Sequence, residues 1–148
     1  MDKPKITYHV LHTDDTYTKQ SSVYAGTYTG DEALSVTFRI WNNYKGTEDV
    51  EDLGNFNIIA RFLTEEDNAL LSYISMAITD NIEIPCIVEN NACVGTFVDP
   101  VTLSGKANTG SSEYTQNYIP ITVSFKASAG AYLKDHDLKS LIIEIVEL

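Results

Sequence analysis

Between Ala33 and Trp41, the apolar residues Leu34, Val36, Phe38 and Ile40 alternate with Ser35, Thr37, Arg39 and Trp41. A β-strand sends successive side chains to opposite faces, so this spacing predicts a core-facing strand of an antiparallel sheet. The same period-two pattern recurs at Ile119, Ile121, Val123, Phe125 and Ala127, and over a shorter stretch at Ile6, Tyr8 and Val10. Phe56 to Leu63 places Phe56, Ile58, Ala60 and Phe62 on one face but Ile59 and Leu63 on the other. That strand is predicted to be covered on both sides or to sit at an interface. Ser140 to Leu148 is apolar in both directions. A helical pattern through Leu138, Leu141, Ile142 and Ile145 fits it too, and its β-branched content favours a central strand.

Weaker patterns complete the series. Ser22 to Tyr28 predicts a strand, with Gly26 marking a bulge or a close backbone approach. Ile82 to Val88 and Cys93 to Val98 read as paired strands turning at Asn90-Asn91, and Val101 to Leu103 as a short extended piece. Thr64-Glu65-Glu66-Asp67 has the chemistry of a helix start. Leu70, Ile74 and Ile78 follow at four-residue spacing, but an alternating pattern fits that stretch equally well. One helical turn followed by a strand is the expectation. Pro120, which cannot donate to a ladder, is expected at a strand start or edge. Two long connections remain, Asn42 to Asn55 and Asp99 to Tyr118, and the tip of the second is expected to be mobile. Eight or nine strands separated by turns make the chain all-β: a two-sheet antiparallel β-sandwich, Ig-like or jelly-roll, in a single domain over 1–148.

A chain of 148 residues is long enough to bury roughly 68–70% of its unfolded surface, so neither metal nor disulfide is needed to hold the core. Twenty-one acids against ten bases give a formal charge of −11. This balance argues against nucleic-acid and anionic-membrane partners, whose binding rests on Lys and Arg, and it suits solubility or a basic partner. The opening Met-Asp-Lys-Pro-Lys is not followed by an apolar run, so the expectation is synthesis in a cytoplasm without a signal peptide.

Signatures of chemistry are sparse. His9, His12 and His136 are not near a nucleophile motif. His9 and His12 are spaced for a metal pair at a strand end, but solvated side chains are the default expectation. Glu48-Asp49-Val50-Glu51-Asp52 offers oxygen ligands for Ca²⁺ without the ladder of an EF-hand loop. No glycine-rich phosphate loop is present. Cys86 and Cys93 fall on one face of the expected hairpin. A disulfide there is conceivable, and reduced, packed thiols are expected. No cofactor or metal is expected. Trp41 lies opposite the apolar face of its strand, beside Arg39. It is expected either under a cover, at a protein interface, or as a platform for a sugar ring, with Tyr114 and Tyr118 either adding to the interface or platform or packing the second long loop down.

The segments Phe38-Arg39-Ile40-Trp41-Asn42-Asn43 and Gly46-Thr47-Glu48-Asp49-Val50-Glu51-Asp52-Leu53, with the acidic, Asn-, Thr-, Tyr- and Ile-rich character of the chain, resemble small β-sandwich structural proteins of tailed bacteriophages. The resemblance implies a non-enzymatic virion component: a capsid accessory or decoration protein, a head-fibre base, or a neck or tail module. It would self-associate or dock on a capsid or tail scaffold through strand edges and apolar patches. Candidate interface residues are Trp41, Arg39, Ile59, Leu63, Tyr114 and Tyr118. The alternatives are a carbohydrate-binding module using Trp41 and loop tyrosines, and an acidic inhibitor that imitates nucleic acid.

Overall fold

The computed structural model describes residues 1–21, 23–27, 34–62, 71–79, 81–125 and 140–148. The strands are β1 (Ile6–Leu11), β2 (Tyr17–Gln20), β3 (Val23–Thr27), β4 (Leu34–Asn42), β5 (Leu53–Gly54), β6 (Phe56–Phe62), β7 (Ile74–Ile78), β8 (Ile82–Ile84), β9 (Cys86–Glu89), β10 (Ala92–Gly95), β11 (Thr102–Leu103), β12 (Tyr118–Phe125) and β13 (Ser140–Glu147). They form a six-stranded sheet in the order β2-β1-β4-β12-β7-β8, a five-stranded sheet in the order β3-β13-β6-β10-β9, and a two-stranded ribbon of β11 and β5. The expectation of eight or nine strands in two sheets is thus too simple. The long connections contribute a ribbon of their own, and several short edge strands give no alternation to read. Pairing is antiparallel in every ladder among the described residues.

One apolar cluster joins the two large sheets. Phe38, Ile40, Ile121, Val123 and Phe125 from the six-stranded sheet share it with Ile58, Ala60, Cys93 and Ile143 from the five-stranded one. Each of the buried Phe, Ile and Val side chains among them stabilises by about 1.5–3 kcal/mol relative to leaving it in water. The Tyr8 hydroxyl of β1 also crosses between the sheets, accepting the Ile145 N–H of β13 at 3.0 Å. β4 and β12 run side by side through the six-stranded sheet over eight paired positions, from Tyr118↔Trp41 to Phe125↔Leu34. β13 lies between β3 and β6, the central position its two-sided apolar sequence suits.

Two local readings need revision. Ile82 to Val88 is not one strand: β8 pairs with β7 in one sheet while β9 pairs with β10 in the other, and the chain changes sheet at Pro85. The Asn90-Asn91 turn is as expected, with both residues at positive φ (51° and 62°), as a two-residue hairpin of the primed type requires. Pro120 lies in a central strand, but Thr79 N–H donates to its carbonyl at 3.0 Å, so its backbone faces β7 rather than β4, and the missing N–H falls just where the β7 ladder ends. A single 3-10 turn over 71–73 precedes β7, and the candidate helix start at Thr64–Asp67 lies outside the described residues.

The two long connections are fastened to each other by buried asparagines rather than left open. Asn42 accepts from Lys5 N–H (2.9 Å) and donates to the carbonyls of Glu51 (3.0 Å) and Leu103 (3.1 Å). Asn43, at φ 59°, donates to the Glu48 and Gly105 carbonyls at 2.8 and 2.9 Å. Asn108 donates to the Asn43 and Lys106 carbonyls and accepts from the Lys45 and Gly110 N–H groups. Asn117 donates to the Ser104 and Lys106 carbonyls at 2.8 and 3.0 Å. A side-chain amide carries both donors and an acceptor, so it can satisfy loop backbone that finds no strand partner. A Cβ at Gly105 would stand 2.0 Å from the Val50 carbonyl oxygen, so only glycine allows this approach. The second connection is therefore tied down at the tip the sequence marks as mobile.

Candidate interaction surfaces

The outer face of the six-stranded sheet, at its β1–β4 end, carries a run of stacked rings and charge. The Arg39 guanidinium lies 4.2 Å over the Tyr17 ring and 4.5 Å over the Tyr118 ring, and its Nη1 donates to Ser112 Oγ at 2.9 Å. Tyr118 stacks on Trp41 at 4.6 Å, Trp41 meets Tyr44 edge-on at 5.0 Å, and Tyr44 covers His9 at 4.2 Å. Cross-strand register explains the grouping: Trp41 is paired with Thr7 and Tyr118, and Arg39 with His9 and Pro120. Tyr44 arrives from the connection that Asn43 and Asn108 hold in place.

Of the three readings open for Trp41, cover is the one found, which takes it out of the candidate interface. Trp41 is 1% exposed, so its ring has no open face for a sugar or a partner. Arg39 and Tyr118 are spent on internal stacking, and the Tyr118 hydroxyl donates to the Ser112 carbonyl at 2.7 Å. Tyr114 stays exposed, beside a shallow depression of about 260 Å³ lined by Lys106, Glu113 and Gln116. His9 is not solvated as expected: it is 3% exposed, with Nε2 hydrogen-bonded to Thr7 Oγ1 at 2.8 Å. Burial, then the nearby Lys19, Arg39 and Lys45 charges, lower its pKa to about 4. His12 pairs instead with Thr18 Oγ1 at 2.5 Å, so the two histidines do not converge. His136 lies outside the described residues.

The acidic run is structural as well. Asp52 accepts the Gly105 N–H at 2.8 Å and Asp49 the Ala107 N–H at 2.9 Å, while Glu48 and Glu51 lend backbone carbonyls to Asn43 and Asn42. Two of the carboxylates that would ligate Ca²⁺ thus secure the loop, and no metal-holding group of His, Cys, Asp and Glu occurs among the described residues. Cys86 and Cys93 are both free thiols. Cys86 stands opposite Gly95 and Cys93 opposite Val88, which puts both on one face at diagonal positions.

The outer face of the five-stranded sheet has a different character. Glu144, Ile59, Val94 and Ile87 form one row across β13, β6, β10 and β9. A shallow groove of about 350 Å³ runs along it, lined by Asn57, Ile59, Arg61, Val94, Glu144 and Val146 among others. Arg61 Nε lies 3.6 Å from Glu144 Oε1, both side chains about 40% exposed, a surface pair of little energetic weight. The half-buried Ile59 sits in the floor of this groove. Leu63, its expected companion, lies outside the described residues. No family model, characterised protein or solved structure matches the chain. No helix among the described residues is long and apolar enough to cross a membrane.

Sequence reasoning missed two features here. Arg39 and Tyr17 are brought together by β2, a short polar strand without alternation. The outward apolar row on β9 and β10 was hidden by reading Ile82 to Val88 as one strand.

Proposed function

We propose that this chain is a non-enzymatic assembly protein that works through the surface it presents, in keeping with the virion accessory or decoration role implied by its resemblance to phage structural proteins. We read its two large sheets as the layers of a sandwich whose rigid loops hold one outer face ready for docking. The observation that carries the reading is the Glu144–Ile59–Val94–Ile87 row. It leaves an apolar groove open on one sheet, while the aromatic end of the other sheet is closed over by its own loop. Apolar side chains set among charged ones at the rim are the composition expected of a protein-docking patch.

The test is size-exclusion chromatography with light scattering on the chain alone and mixed with virion or lysate fractions from its own source, alongside Ile59→Asp. The reading predicts that the wild-type chain shifts to an assembled species and that Ile59→Asp stays a folded monomer with an unchanged circular-dichroism spectrum. A wild-type chain that remains monomeric and unbound in every fraction contradicts it. An Ile59→Asp chain that cannot fold would assign Ile59 to the core and remove the proposed patch.

A further inference from the structure

Residues 82–89 form an edge of both large sheets at once. β8 ends the six-stranded sheet and β9 ends the five-stranded sheet, and Pro85 alone separates them. The direction of each backbone group follows from the hydrogen bonds. Thr96 N–H donates to the Pro85 carbonyl at 3.0 Å, and in an antiparallel ladder such bonded pairs recur every second residue. Given the register of Val94 with Ile87 and Ala92 with Glu89, Ile87 and Glu89 therefore aim their backbone at β10. Cys86 and Val88 aim theirs away from the sheet, where no described strand meets them.

This edge is also apolar. Ile82 is 55% exposed, Ile87 65%, Val88 45% and Val98 70%, and among the described residues these four make up most of the exposed large hydrophobic side chains away from the termini. A cavity of about 140 Å³ lined by Ile78, Ile82, Phe97, Val98 and Val101, with Glu83 and Asp99, opens beside them. An exposed, apolar strand edge is a template for strand addition, which natural proteins ordinarily guard with lysine, proline or a bulge. Here the only proline stands at the corner, and lysine is absent.

The charge around the edge selects the occupant. No Lys, Arg or His occurs between Arg61 and Lys106, and Glu83, Glu89 and Asp99 are all exposed with no ion-pair partner among the described residues. A second copy of this chain would bring the same acids against them. We infer that the β8–β9 edge accepts an extended strand from a different protein, one with apolar side chains in its middle and Lys or Arg at its ends. The apolar centre meets Ile87 and Val88, the backbone pairs with Cys86 and Val88, and the basic ends meet Glu83, Glu89 and Asp99. This deepens the assembly reading and rests on it, at an edge that borders the Ile59 groove.

The probe is a fluorescein-labelled peptide, Lys-Val-Thr-Ile-Val-Lys, compared with a form carrying Glu in place of both lysines and with a form N-methylated at alternate residues. Anisotropy titration and amide shift mapping are followed on the full chain and on Val88→Pro. The proline removes an outward N–H that β10 does not use. The expected result is saturable binding with shifts centred on Cys86, Ile87 and Val88. It should weaken at least tenfold with the Glu peptide, with the N-methylated peptide and with Val88→Pro, and weaken as salt is raised. If the Lys peptide does not bind saturably, or if the Glu peptide binds as well, the inference is overturned. Because Ile59→Asp lies outside the edge, assembly that persists and still depends on Ile59 while the peptide fails would reject the edge and leave the assembly reading intact.

Discussion

Lowering the pH from 7.5 to 4 should unfasten the aromatic end of the six-stranded sheet through one side chain, His9. Its imidazole is enclosed by Tyr44 and Trp41, and the neighbouring charges that act on it, Lys19, Arg39 and Lys45, are all positive. A proton there would be both desolvated and repelled. The folded chain holds the pKa near 4 against an ordinary value of 6.5. As pH falls below 6.5 the unfolded chain takes up a proton that the folded chain refuses, so stability falls. The loss is complete near pH 4, below which both states are protonated and this contribution is flat. With each tenfold in proton affinity worth about 1.4 kcal/mol, the full loss comes to roughly 3 kcal/mol. Carboxylates titrate in the same range, so the informative quantity is a difference. Urea unfolding of the wild-type chain and of His9→Gln, at half-unit steps, should give stabilities that converge as pH falls, the wild type losing about 3 kcal/mol more than the variant. Parallel curves would refute the reasoning, as would an imidazole that NMR finds protonated at pH 5.5 in the folded chain.

Other outcomes follow from the same contacts. Asn117→Asp replaces two donors with an acceptor facing the Ser104 and Lys106 carbonyls; it should cost about 2–4 kcal/mol, and a urea midpoint within error of wild type would contradict the role of the asparagines. Cys86 is half-buried and Cys93 buried; a hydrogen bond between the two thiols lowers the Cys86 pKa, while that same hydrogen bond and then burial raise that of Cys93. Iodoacetamide at pH 8 should therefore modify Cys86 first and Cys93 only on unfolding, which mass spectrometry of the peptides reads directly. Glu144→Gln should change stability by less than about 0.5 kcal/mol, since its pair with Arg61 is solvated; a larger loss in thermal melts would mean the outer face is more tightly organised than its exposure implies.

Much of the framework was legible in the chain itself. The alternation at Leu34–Ile40 and Ile119–Phe125 yields the two central strands of the six-stranded sheet, which pair over eight positions, because one buried face imposes a period of two. Asn90-Asn91 announces its hairpin because asparagine tolerates positive φ. What the pattern could not reveal is how the outer faces are covered. His9 and Trp41 look solvent-facing by parity, and only a loop held through Asn43 and Asn108 brings Tyr44 over them. An asparagine in a connection looks the same in sequence whether it meets water or four backbone groups. Pro85 was the available signal that Ile82 to Val88 changes sheet, since proline interrupts a ladder. The candidate interface divided accordingly: Ile59 lies on an open face, whereas Trp41, Arg39 and Tyr118 stack on one another.

Amide hydrogen exchange of the chain alone and in its assembled state tests most directly which surface does the docking. The account predicts added protection along 57–61, 86–94 and 142–146, with the aromatic end around Arg39, Trp41 and Tyr118 unchanged. Protection gained at that end, with the Ile59 face exchanging as before, would contradict it.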